Sequence, residues 1–162
     1  MYVWYNEVLR NIHTPREKVR ASLTHVVKWK EIASEDGKVD GHIPFATTIH
    51  VLNSAIIKLS RAQRAERVYR GTQGGRLPGK FWTPNRDNIR GGIEMAFMST
   101  TMNRSVAMNF AGGESETSGQ HQPSVVFEMQ MGMIDRGAAV QCFSQFPSEE
   151  EILYAPLTGM HA

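Results

Sequence analysis

The hydrophobic period of the chain changes after Arg64, and that change constrains its fold more than any other feature. Before it, apolar residues recur at helical spacing; after it, they alternate. Thr14-Pro15-Arg16-Glu17 reads as a helix start, with Thr14 as N-cap, Pro15 in the first turn and Glu17 closing a capping box. Val19, Leu23, Val26, Val27 and Lys30 follow at helical intervals and predict a helix to about Ala33. After the polar loop 34–41, the stripe Ile49, Leu52, Ile56 and Leu59 predicts a second helix from Ala46 to about Gln63. Arg67–Gly71 then reads as a short strand ending at its glycine. Ile93, Met95, Phe97 and Ser99 alternate with their neighbours as one strand, and Val125, Phe127, Met129 and Met131 do so again. Asn103 is placed to cap a short helix, Ser105 to Phe110. A further strand is expected around Ala139–Cys142, and the last begins near Glu151. Helices first and strands later predict an α+β fold, with a helical part over about 1–64 and a mainly antiparallel sheet core over about 65–162. At 162 residues the chain is expected to form a single domain.

Composition narrows the function classes. A single cysteine, Cys142, excludes an internal disulfide and any zinc site built on paired cysteines, and the six histidines show no metal spacing, so no metal is expected. No apolar run approaches membrane-spanning length, and the polar-flanked start does not read as a signal peptide, although excision from a longer protein would remove targeting signals. The default reading is therefore a cytoplasmic protein without membrane attachment, with a secreted effector as the alternative. Net charge is +2, but residues 1–90 hold 16 Lys and Arg against 8 Asp and Glu, while residues 91–162 hold 2 against 8. Such a split suits a protein that meets an anionic ligand on one part and a cationic group on another; a solvated basic face on the helices would give the same imbalance.

Three polar groups fall at predicted strand ends: Arg70-Gly71, Ser99-Thr100-Thr101, and Glu149-x-Glu151 ahead of the apolar run Ile152-Leu153-Tyr154. On a strand Glu149 and Glu151 would project to one side, with Glu150 pointing away. Two like charges that close repel unless cationic or polar groups meet them; a solvated acidic turn is the plainer alternative. Gly74-x-x-x-x-Gly79-Lys80 fits a phosphate-loop pattern, but Phe81 stands where a Ser or Thr would bind magnesium, and Trp82-Thr83-Pro84 cannot continue a helix. The methionines, including Met95, Met98, Met102, Met108, Met129, Met131 and Met133, read as core filling.

Val68-Tyr69-Arg70-Gly71, Phe97-Met98-Ser99-Thr100-Thr101 and Ser148-Glu149-Glu150-Glu151-Ile152-Leu153 together resemble the motifs of the mono-ADP-ribosyltransferases of the Arg–Ser–Glu class, over roughly residues 65–157. Thr101 stands where that family's Ser-Thr-Ser strand has its final serine. The resemblance implies a split sheet clasping NAD, and a transfer of ADP-ribose from NAD to arginine side chains of a protein with release of nicotinamide. Glu151 is then the catalytic carboxylate, bonded to the ribose, with Ser99 holding it. Arg70 pairs with the pyrophosphate or an adjacent ribose hydroxyl, Gly71 brings the backbone to the nicotinamide carboxamide, and Glu149 orients the guanidinium acceptor and helps to remove its proton. Thr100 belongs to the same cofactor-binding strand. Phe110 is placed against the nicotinamide ring or else closes a helix turn in the core. Loop 112–123 is the expected cover over NAD, and it carries no Lys or Arg. Ser144–Pro147 is the expected substrate-facing turn.

The same constellation with water as acceptor gives an NAD glycohydrolase. The basic N-terminal half admits a nucleic acid as acceptor, although the Glu-x-Glu spacing favours a guanidinium. A non-enzymatic NAD- or partner-binding domain would leave the three motifs a coincidence. Family members usually continue with at least one strand beyond Gly159, so a trimmed or unusually short member is expected.

Overall fold

A computed structural model of the chain describes residues 46–73, 76–112 and 124–162, together with Asn6, Leu9 and Arg10. The helix expected over 14–33 and the loop 113–123 lie outside the described residues. The chain divides into two compact units, Met1–Asn53 and Ser54–Ala162, with the boundary inside helix α1 (Ala46–Ser60). Helix α1 stops before the expected Gln63, in a turn in which Ala62 and Gln63 donate to the carbonyls of Leu59 and Ser60. Ile56 is its buried residue, whereas Leu59, expected on the same stripe, is exposed.

The second unit holds two antiparallel sheets. Strand β1 (Arg67–Gln73) runs past Gly71, where the sequence suggested it would stop. A single turn of helix, α2 (Gly79–Trp82), follows; it ends where Thr83 turns extended ahead of Pro84, as the residue before a proline must. The expected continuous strand over 93–99 is two strands in different sheets: β2 (Gly91–Glu94) and β3 (Met98–Thr101). The alternation persists through the break because Ala96 and Phe97 are buried there without belonging to either ladder.

Helix α3 (Arg104–Gly112) begins as expected, with Asn103 Oδ1 accepting the Ser105 N–H at 2.9 Å. Strand β4 is Ser124–Gln130. The strand expected over 139–142 shrinks to β5 (Ala138–Ala139), followed by a 3₁₀ turn at Gln141–Phe143. Strand β6 (Glu151–Tyr154) is not the last, because β7 (Thr158–His161) follows and pairs with β2. The larger sheet has the order β4-β1-β3-β6-β5.

Its core face buries Val68, Met98, Met131, Ile152 and Tyr154, with Met102, Met129 and Met160 packed against them. Met108 and Met133, also expected inside, are exposed. Burial pushes the Tyr154 phenol up to about 12, against a hydrogen bond with the Gly137 backbone that pulls it down, so this tyrosine stays neutral and serves packing.

The pairing of β1 with its neighbours is uneven, and this makes the site. Along β4 it is paired through all seven residues, from Arg67↔Gln130 to Gln73↔Ser124. Along β3 only one pair forms, Tyr69↔Thr101. Beyond that pair the two strands part, and the opening lies between Arg70-Gly71 on one lip and Ser99-Thr100 on the other.

Candidate active site

Parting two strands leaves backbone groups that a ladder would have satisfied. Arg70 supplies one replacement: its Nη1 donates to the Ser99 carbonyl at 2.7 Å, across the split. Its Nη2 faces Glu94 Oε2 at 3.7 Å, and Glu94 Oε1 accepts the Ala96 N–H at 3.1 Å. Both side chains of this pair are largely buried, at 20% and 17% exposure. Glu94 carried no functional expectation, since the alternation through Ile93 and Met95 assigned it only to the opposite side of a strand. An acidic residue within an otherwise apolar segment was the available signal.

On the other lip, Ser99 Oγ donates to Glu151 Oε1 at 2.6 Å. A hydroxyl to a carboxylate at that distance is a charge-assisted bond, about twice as strong as a neutral one. The β3–β6 register sets it up: Thr101 faces Glu151 and Ser99 faces Leu153, so Ser99 reaches Glu151 diagonally on one face.

The expectation that Glu149 and Glu151 share a strand face is corrected. Strand β6 begins at Glu151, while Glu149 closes a 3₁₀ turn, Pro147–Glu149, that Pro147 initiates. Between them Glu150 takes a left-handed conformation, φ 49° and ψ 47°. The reversal at Glu150 places Glu149 on the same cleft by a route other than strand alternation.

That cleft, of about 160 Å³, is lined by Tyr69, Arg70, Gly71, Ser99, Thr100, Thr101, Val106, Phe110, Glu149 and Glu151. All seven candidate residues read from the sequence therefore border one cavity. Their contributions differ. Thr100 is buried and its hydroxyl donates to the Ile152 carbonyl at 2.8 Å, so that group is engaged within the sheet. Phe110 is 57% exposed at the cleft, which sets aside the reading of it as a core residue.

At Gly71 an added Cβ would stand 1.9 Å from the Ala107 carbonyl oxygen and 2.7 Å from the Ala111 nitrogen. The close approach that this glycine permits is to helix α3, the helix that brings Val106 and Phe110 to the cleft. The turn ahead of Glu149 presents Phe143 and Phe146 to solvent, with Gln141 Nε2 donating to the Pro147 carbonyl at 2.8 Å. A second cavity, about 240 Å³, shares Arg70 with the first and is lined further by Glu94, Thr72, Arg76, Val125 and Phe127. Among the described residues no group of three or more His, Cys, Asp or Glu is disposed to hold a metal ion, and no helix is long and apolar enough to cross a membrane.

A helix-and-antiparallel-sheet unit of this kind has the ADP-ribosyltransferase fold. The chain is similar to the ADP-ribosyltransferase HopU1 of Pseudomonas syringae pv. tomato DC3000 (28% identity, TM-score 0.55, covering 84% of this chain and 55% of HopU1). It is also similar in fold to Vis toxin, an ADP-ribosyltransferase from Vibrio splendidus (23% identity, TM-score 0.57, covering 99% of this chain and 58% of that one). A further structure of Vis, in complex with agmatine, aligns with a TM-score of 0.51 at 20% identity, covering 99% of this chain and 66% of that one. Residues 34–161 match the family model of NAD:arginine ADP-ribosyltransferases, and the chain belongs to that family. It spans less than two thirds of the length of the HopU1 and Vis toxin chains. No curated protein matches it.

Proposed function

We propose that the chain is an NAD-dependent mono-ADP-ribosyltransferase that transfers ADP-ribose to arginine side chains, with the cleft at the β1–β3 split as its active site. The observation that carries this reading is the 2.6 Å bond from Ser99 to Glu151 on the lip of that cleft, in a chain of the NAD:arginine family.

The chemistry accounts for each residue type. Cleaving the bond between nicotinamide and ribose sends its electron pair to the departing nicotinamide and leaves an oxocarbenium-like ribose, as in glycoside hydrolysis. A carboxylate fixed beside that ribose stabilises the developing charge without reorganising, and Glu151 is so fixed because Ser99 holds one of its oxygens. Arg70 meets the pyrophosphate from the opposite lip. Its planar guanidinium also holds the Ser99 carbonyl, so one side chain serves the anion and the geometry of the split. Phe110, exposed on α3, offers an aromatic face to the nicotinamide. Glu149 orients the guanidinium acceptor and takes the proton it loses as its nitrogen bonds to the ribose carbon. NAD and arginine thereby give ADP-ribosyl-arginine, nicotinamide and a proton.

Labelled NAD tests the reading. Incubated with the protein and agmatine, a bare guanidinium, label is expected on agmatine. Glu149→Gln is expected to lose most of that transfer while still releasing nicotinamide and free ADP-ribose. Label that passes only to water makes the protein a glycohydrolase, and label on nucleic acid but never on agmatine replaces the arginine assignment. A toxin-like role in a secreted setting is part of the same proposal, tested by whether the protein delivered into a cell labels cellular proteins.

A further inference from the structure

Strand pairing holds Glu151, opposite Thr101 in the β3–β6 ladder, but the ladder stops there and Glu149 lies beyond it. The left-handed Glu150 between them is a conformation that a non-glycine residue adopts only at a cost, so the segment needs fastening from elsewhere. Two bonds close the Glu149 turn on itself, Glu149 N–H to the Phe146 carbonyl and Glu150 N–H to the Pro147 carbonyl, and Gln141 holds its start through the Pro147 carbonyl.

Two bonds tie the segment to the end of β3. Met102 N–H donates to the Glu150 carbonyl at 3.4 Å, a long contact. Thr101 Oγ1 donates to the Glu149 carbonyl at 2.6 Å. The same hydroxyl accepts the Asn103 N–H at 2.9 Å, and Asn103 caps α3. A hydroxyl has one proton to give and lone pairs to accept with, and here both capacities are engaged by a side chain only 6% exposed. It joins the turn carrying Glu149 to the start of the helix carrying Phe110. Thr101 stands where the family motif has serine. Its β-branch stiffens χ1, which holds the hydroxyl on its two partners.

We propose that Thr101 is a positioning residue for the acceptor. By fixing the main chain at Glu149 it sets where that carboxylate stands, and so how ADP-ribose is partitioned between a guanidinium and water. The inference rests on reading Glu149 as the acceptor-orienting residue.

The test compares wild type, Thr101→Val, Thr101→Ala and Thr101→Ser in NAD with increasing agmatine, measuring ADP-ribosyl-agmatine and free ADP-ribose in the same reaction. Valine keeps the shape and removes the hydroxyl. The ratio of transfer to hydrolysis is expected to fall ~5–10-fold, the scale of one lost hydrogen bond, through a raised KM for agmatine. Alanine is expected to give the same change if the valine variant does not fold, and serine to restore the wild-type ratio. An unchanged ratio in either folded hydroxyl-free variant overturns the proposal, including the case in which both reactions decline together, because that is the signature of general loosening. A serine variant that behaves like valine overturns it too. Wild type that releases nicotinamide but never labels agmatine is a separate result: it removes the arginine reading, and the role given to Thr101 goes with it.

Discussion

Arg70 has two duties that pull on the same guanidinium. Bonded to the Ser99 carbonyl and facing Glu94, it acts as a strut across the parted strands, and the proposed anion contact is made from that fixed position. Arg70→Ala is therefore expected to weaken NAD binding by ~1.5–3 kcal/mol, the range for a charge-assisted hydrogen bond, and also to lower thermal stability by leaving the Ser99 carbonyl unpaired. Arg70→Lys should recover part of the affinity, since a point charge cannot fork between two partners. Titration calorimetry on the folded variants checks this; equal affinities for wild type and Arg70→Ala would leave Arg70 with the structural duty alone. The motif residues were legible because their types and spacing carry the chemistry. Glu94 was not, and Thr101 was legible as a motif position but not in its role, because each acts on a partner remote along the chain, Arg70 and Glu149, that only the folded chain brings near.

At the scale of elements, the packing of α3 on β1 decides whether the cleft has its second wall. Gly71 leaves no room for a side chain against the Ala107 carbonyl, and backbone cannot step aside as a flexible side chain can. Gly71→Ala is expected to destabilise the protein by ~2 kcal/mol or more, an overpacking effect. Gly159→Ala, in β7 with nothing near its added carbon, should be nearly neutral and serves as control. Thermal unfolding of the two variants measures the difference, and a Gly71→Ala protein as stable as the control would contradict the packing account.

Hydrophobic alternation read β4 correctly, the short strand ending at Gly71 covered most of β1, and the Asn103 cap fixed the start of α3. It failed where alternation runs through a break, between β2 and β3, and where Pro147 and the reversal at Glu150 keep Glu149 off the strand. Strand β7 went unread because Thr158-Gly159-Met160-His161 has little strand character of its own; it is held by pairing with β2.

At the scale of the molecule, the order of helices before strands was enough to give the α+β class, and the three motifs in order were enough to give the family. How the cleft opens was not legible, because one isolated pair between β1 and β3 is a property of the assembled sheet. In the proposed function the chemistry rests on one carboxylate at that opening, Glu151. Glu151→Gln keeps the size of the side chain and an oxygen for Ser99 to bond, while removing the charge. Nicotinamide release by the purified, folded variant at saturating NAD is the direct measurement. A fall of at least ~10²-fold with NAD binding intact is expected, the scale for losing one preorganised electrostatic group; release at the wild-type rate would contradict the assignment of the site.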